Sequence, residues 1–260
     1  MARQLRRTNV NNTEAVGNTR QNGASNPDAA GHGDSRVGAS RFHDELLGTP
    51  TAVMNQYLAH FGEATIDFLK QLESACVHID KYVDANAAEP RLVWSAAYFL
   101  NSINTALIST RLFLQGYIVA SGNQARHCVE SLAFGVLLPF PATGAFRDWN
   151  AGRDIEHKAL ERLVRSAEQC GIKKQNVEAL RAQAKWFDTY SHPSRLVLAS
   201  AWVPETGWEL GALFDESKLA AYRKEMTNRV SLGRLISRTI TGTHRELARR
   251  NLLSAQVKPT

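Results

Sequence analysis

Two short segments place charged side chains where a chemical site could form. In Gly122-Asn-Gln-Ala-Arg126-His-Cys-Val-Glu130-Ser-Leu-Ala-Phe134, Arg126 and Glu130 stand four residues apart in an otherwise apolar helical run. They share one helix face and can pair. Some sixty residues on, Asp188 and His192 repeat that spacing in Phe187-Asp-Thr-Tyr-Ser-His192-Pro193. A carboxylate behind an imidazole fixes its tautomer and raises its basicity, as general acid-base chemistry requires. Arg126, Glu130, Asp188 and His192 are therefore the candidate catalytic set. The structural alternative is an ion pair that orders the core and a histidine that caps helix carbonyls. Ser191 and Ser194 flank His192 but lie in no nucleophile-elbow sequence, which argues against a serine hydrolase.

Two further groupings follow from helical geometry. Asn101, Asn104, Arg111 and Gln115 fall within an arc of roughly 80° on one helix. They either fix helix register through hydrogen bonds or form a pocket wall, with Asn104, Arg111 and Gln115 as ligand contacts. Near the C-terminus Arg223, Arg234, Arg238, Arg245 and Arg249 fall within another arc of roughly 80°, beside an apolar stripe that includes Tyr222, Met226 and Val230. Planar guanidinium groups suit phosphate, so this ridge reads as a nucleic-acid surface or as a solvated face. Arg229 falls on the apolar side and needs a carboxylate, for which Glu130 and Asp188 are candidates.

Composition narrows the classes. The formal charge is +6 over 260 residues, but basicity is local: residues 218–258 hold ten Lys or Arg against Glu225 and Glu246. The eight histidines are scattered and the three cysteines, Cys76, Cys128 and Cys170, are far apart. Neither pattern predicts a metal, a disulfide framework or a cofactor, and a reducing cytoplasm fits. No apolar stretch of signal-peptide type follows Arg3, Arg6 and Arg7. The uncharged run Leu92–Thr110 is interrupted by Ser, Asn and Thr and reads as a core helix, so no membrane partner is expected.

These groups need a scaffold, and the pattern predicts a mainly α multi-helix bundle with one short β-hairpin near residues 196–214. Residues 1–48, poor in large apolar side chains, are expected to be a disordered tail, 49–252 a single domain, and 253–260 a C-terminal tail. Helices are expected over about 50–85, 90–121 with a bend near Gly116, 123–138 after punctuation by Gly122, 145–169, 174–190 and 215–251. Leu196–Trp202 and Trp208–Phe214, separated by Pro204-Glu-Thr-Gly207, read as the hairpin strands.

Residues 90–215 resemble a group of uncharacterised bacterial helical-bundle proteins, whose pattern is a Gly-led helix with Arg-x-x-x-Glu and a later Ser-x-x-x-His before a short hairpin. Arg126 and Glu130 match the first part and His192-Pro193-Ser194 the second, while Asp188 stands in place of Ser. The resemblance implies the fold and no particular activity. More loosely, Arg238-Thr-Ile-Thr-Gly-Thr-His244 resembles the Arg-x(4–6)-His signature of HEPN-type ribonucleases. That likeness implies metal-independent RNA cleavage, with Arg238 stabilising phosphate and His244, or a competing His192, moving the proton. Three functions are thus expected: a binding or regulatory protein, a HEPN-like ribonuclease, or an enzyme or small-anion site at Arg111, Arg126, Glu130 and His192. A homodimer through exposed helix faces, and RNA or another anionic partner on the C-terminal helix, are the partners this reading allows.

Overall fold

The computed structural model describes residues 45–86, 88–153, 158–190, 194–204, 207–209 and 211–253. It is mainly α, with one two-stranded antiparallel hairpin. In order come α1 (Thr51–Asn86), α2 (Pro90–Leu114), α3 (Ile118–Leu137), a 3-10 turn (Pro141–Thr143), α4 (Ala145–Asn150), α5 (Ala159–Arg165), α6 (Lys174–Asp188) and α7 (Arg195–Ser200). The hairpin strands β1 (Trp202–Val203) and β2 (Gly207–Trp208), a 3-10 turn (Glu216–Lys218) and α8 (Leu219–Arg249) complete the fold. α3 lies chiefly against α2, and α8 against α1; α3 also meets α5 and α6. Among the described residues no helix is long and apolar enough to cross a membrane.

Along α1 apolar residues spaced at threes, fours and sevens share one buried face. Tyr57, Phe61, Phe68, Leu72, Ala75 and Ile79 are all at most 5% exposed and join Phe99, Phe113 and Phe134 in one core. Pro90 opens α2, where a missing N–H costs nothing. The polar interruptions of this helix have a use that periodicity did not reveal. Ser95, Ser102 and Ser109 recur every seven residues and meet Gly135, Cys128 and Ser121, which recur every seven in the opposite direction on α3. Ser95 Oγ donates to the Gly135 carbonyl at 2.6 Å, Ser102 Oγ lies 3.5 Å from Cys128 Sγ, and Ser109 and Ser121 exchange bonds with each other's carbonyls at 2.8 and 2.7 Å. Small side chains let the two backbones approach, and each hydroxyl is satisfied across the seam. A Cβ on Gly135 would meet the Phe99 ring at 2.7 Å, so glycine belongs to the same close contact.

The break between α2 and α3 falls at Gly116, where the sequence reading placed only a bend. Its φ is +84°, and a Cβ there would stand 2.6 Å from the Leu213 nitrogen. Gly122, expected to punctuate, lies inside α3 beneath the ring of Tyr190, with no room for a side chain. The expected 145–169 helix is interrupted at Gly152, in the left-handed region at φ +71°. The hairpin is shorter than expected because Ser194 caps α7, its Oγ accepting from the Val197 nitrogen at 3.2 Å. Residues 195–200 are therefore helical, and among the described residues Trp202 pairs with Trp208 and Val203 with Gly207 as strands. At the N-terminal side, residues 1–44 of the expected tail lie outside the described residues. Of its last residues, Glu45 accepts through Oε1 from Tyr117 OH at 2.8 Å and the Ala212 nitrogen at 3.0 Å. At the other end Leu253 packs against the core.

Candidate functional site

The two halves read from the sequence do meet. Arg126 Nε on α3 lies 3.1 Å from Glu130 Oε1, and its Nη1 donates to Asp188 Oδ1 at the end of α6. His127 Nδ1 stands 3.5 Å from Glu130 Oε2. The side chains of Arg126, Glu130 and Asp188 are 36%, 22% and 46% exposed, so this is a clasp at the surface rather than a charge sealed in the core. Two carboxylates thus hold the one guanidinium. His192 and the expected Asp188–His192 contact lie outside the described residues.

The stripe on α2 is divided between solvent and core. Asn101 is exposed and donates to Ser131 Oγ at 2.8 Å, Asn104 and Arg111 are exposed, and Gln115 is buried at the helix C-cap.

Arg229 corrects one expectation. Its carboxylate is neither Glu130 nor Asp188 but Glu225, one turn earlier on its own helix, with Nη1 2.7 Å from Oε2. Arg229 is 1% exposed and Glu225 4%. Nη1 also donates to the Glu225 carbonyl at 3.0 Å, and Nη2 donates to Ser121 Oγ. The opposite carboxylate oxygen, Oε1, accepts from Trp186 Nε1 at 3.1 Å and from Tyr190 OH. The guanidinium lies over Phe113, with Cζ 4.4 Å from the ring centroid. Burial, then the Glu225 charge and its hydrogen bond, push the Tyr190 hydroxyl far above its ordinary pKa. One ion pair thereby ties α8 to α3 and α6. Gly122, which admits the Tyr190 ring, is part of the same assembly. Glu225, Trp186, Tyr190 and Ser121 escaped the sequence reading, although Glu225 and Arg229 carry the favourable i,i+4 orientation, acid first.

The arginine ridge of α8 faces solvent. Arg223, Arg234, Arg238, Arg245 and Arg249 are all exposed. Arg234 Nη2 is paired with Asp67 Oδ2 at 2.6 Å, and Arg249 is bound twice to Glu246 at 2.6 and 2.9 Å. Among the described residues Arg223, Arg238 and Arg245 have no acidic partner. Arg223 and Arg234 border an open groove of about 450 Å³ between α1 and α8, with Phe61, Met226 and Val230 below and His60, Thr227 and Ser231 around it.

No family model, curated protein or solved structure matches the chain. Local geometry must therefore carry the reading of Arg238 and His244. Six residues apart on the unbroken α8, they project about 120° from each other and lie about 9 Å apart along the axis. His244 stands edge-on to Tyr82, with centroids 5.2 Å apart. Burial and then His78 lower its pKa, which favours the neutral imidazole. The buried thiols of Cys128 and Cys170 are each pushed up to about 12 by desolvation, so neither is poised as a nucleophile. Among the described residues no three His, Cys, Asp or Glu side chains are grouped to hold a metal ion.

Proposed function

We propose that this protein is a non-catalytic helical binding protein that receives an anionic polymer, with single-stranded RNA as the candidate, on the arginine face of α8. The observation that carries the reading is the state of its arginines. Arg229 is consumed by Glu225 and Arg126 by two carboxylates, whereas Arg223, Arg238 and Arg245 are exposed with no acidic partner among the described residues. Unpaired guanidinium groups along one helix face give a linear cationic track, and the adjoining groove has room for a nucleotide-sized group.

The test is anisotropy of a labelled single-stranded RNA across a salt series. Three free arginines predict a log K against log salt slope of about −2, with each Arg→Ala at 223, 238 or 245 reducing it by about 0.7. Arg249→Ala has a smaller effect, because Glu246 already neutralises that side chain. Absence of binding at low salt refutes the reading. Cleavage of the RNA, abolished in a folded His244→Ala variant, replaces it with the ribonuclease.

A further inference from the structure

The exposed side of α2 carries a pattern that the arginine track does not use. Val93, Leu100 and Leu107 recur every seven residues and are 37%, 41% and 40% exposed. A seven-residue recurrence keeps them on one face, as in the seam of a coiled coil. Arg111 lies eleven residues after Leu100, about three helical turns, and so falls on that same face, while Glu89, the extended N-cap residue, stands at the other end of the helix. Arg111 has no acidic partner among the described residues. Glu89 touches Arg91 at 3.3 Å, but Arg91 is also held by the carbonyls of Pro139 and Leu252 and does not depend on it. The neighbouring α1 exposes Ile66, Leu69 and Val77.

We propose that this face joins a second copy of the chain, α2 running antiparallel to α2 about a two-fold axis at Leu100. A two-fold contact must be self-complementary, since whatever residue i meets, its equivalent meets in return. The stripe has that property. About an axis at Leu100, Val93 lies opposite the partner subunit's Leu107, Leu100 opposite its own equivalent, and Arg111 opposite the partner subunit's Glu89. Each apolar side chain meets an apolar one, and the charge at each end meets its opposite. No shift of one or two residues along the helix preserves both matches. The stripe from Val93 to Arg111 is about 27 Å long. A lasting dimer buries about 1,000 Å² or more in all, beyond what one helix face supplies, so this contact is a weak, reversible one. This inference involves no residue of α8 and stands or falls independently of RNA binding.

Sedimentation equilibrium of the full chain over a concentration series tests it. The expected result is a reversible monomer–dimer equilibrium. Leu100→Glu sets two carboxylates against each other on the axis and weakens dimerisation at least ~100-fold. Leu100 is 41% exposed, so the variant should keep the wild-type circular dichroism spectrum. Arg111→Glu weakens the dimer about fivefold at each of two equivalent ends. The double swap Glu89→Arg with Arg111→Glu restores it, because the pair is made between copies. A chain that stays monomeric, a dimer indifferent to Leu100→Glu, or a double swap no better than Arg111→Glu alone would each overturn the proposal.

Discussion

Replacing Arg229 with Met tests whether the buried network is structural. The substitution keeps most of the side-chain volume over Phe113 but leaves the Glu225 carboxylate 4% exposed without its counter-charge. Removing one partner of a buried pair costs about 3–5 kcal/mol, because the remaining charge has neither water nor partner. For a folded unit of roughly 200 residues this lowers Tm by about 6–20 °C. The double variant Arg229→Met with Glu225→Gln should recover much of that loss. Gln offers an oxygen to Trp186 Nε1 and Tyr190 OH, the groups that Glu225 Oε1 accepts from, and leaves no charge to desolvate. Thermal and urea unfolding of the two single variants and the double complete a cycle, and the coupling should be at least about 2 kcal/mol in favour of the double. RNA affinity of the folded fraction should not change, since neither residue is exposed. A loss below about 1 kcal/mol for Arg229→Met, or strict additivity in the cycle, refutes the assignment of this pair as the tie between α8, α3 and α6.

Other consequences are as direct. Gly122→Ala places a Cβ inside the Tyr190 ring and should destabilise by about 1–3 kcal/mol, with near-ultraviolet circular dichroism reporting displacement of the tyrosine. Arg126→Ala breaks a clasp whose members are partly solvated, so urea unfolding should detect a change of no more than about 1 kcal/mol. A loss of several kcal/mol would make that cluster part of the core architecture. Glu246, hydrogen-bonded by Arg249 and Arg250, has its pKa lowered from 4.5 to about 2. A depressed carboxylate pKa gives stability that is present above pH 4.5 and lost as pH falls toward 2, and Glu246→Gln should flatten that part of the acid-unfolding curve.

How much was legible depended on whether a signal was local. The stripe of α1 and the arginine arc of α8 are properties of one helix, and periodicity places them. The two glycines show the limit. Gly116 and Gly122 look alike in sequence, yet one takes a left-handed φ against Leu213 and the other makes space for Tyr190 from the turn after α6. Only the partner distinguishes them. The apolar run 196–202 reads as a strand until Ser194 caps a helical turn, a local signal that the apolar pattern outweighed. The serines of α2 looked like interruptions because their meaning lies in the matching seven-residue repeat of α3.

The same distinction between local and distant partners orders the charged residues by role. Arg229 and Glu225 stand one turn apart on their own helix, and side chains of other elements, Phe113, Ser121, Trp186 and Tyr190, bury the pair. A charge whose partner sits on another element depends on how those elements dock. Arg126 reaches across to Asp188 as well as to Glu130 on its own helix, and this clasp stays near solvent, where an ion pair contributes little. On α8 and α2 the arginines with no acidic partner among the described residues are Arg223, Arg238 and Arg245, and Arg111. Long cationic side chains kept exposed on well-packed helices contribute little to stability. Their alignment along one helix face, with Arg223 bordering the groove, in one case, and the position at the end of an apolar seven-residue stripe in the other, support assigning the first set to an anionic ligand and the second to another copy of the chain.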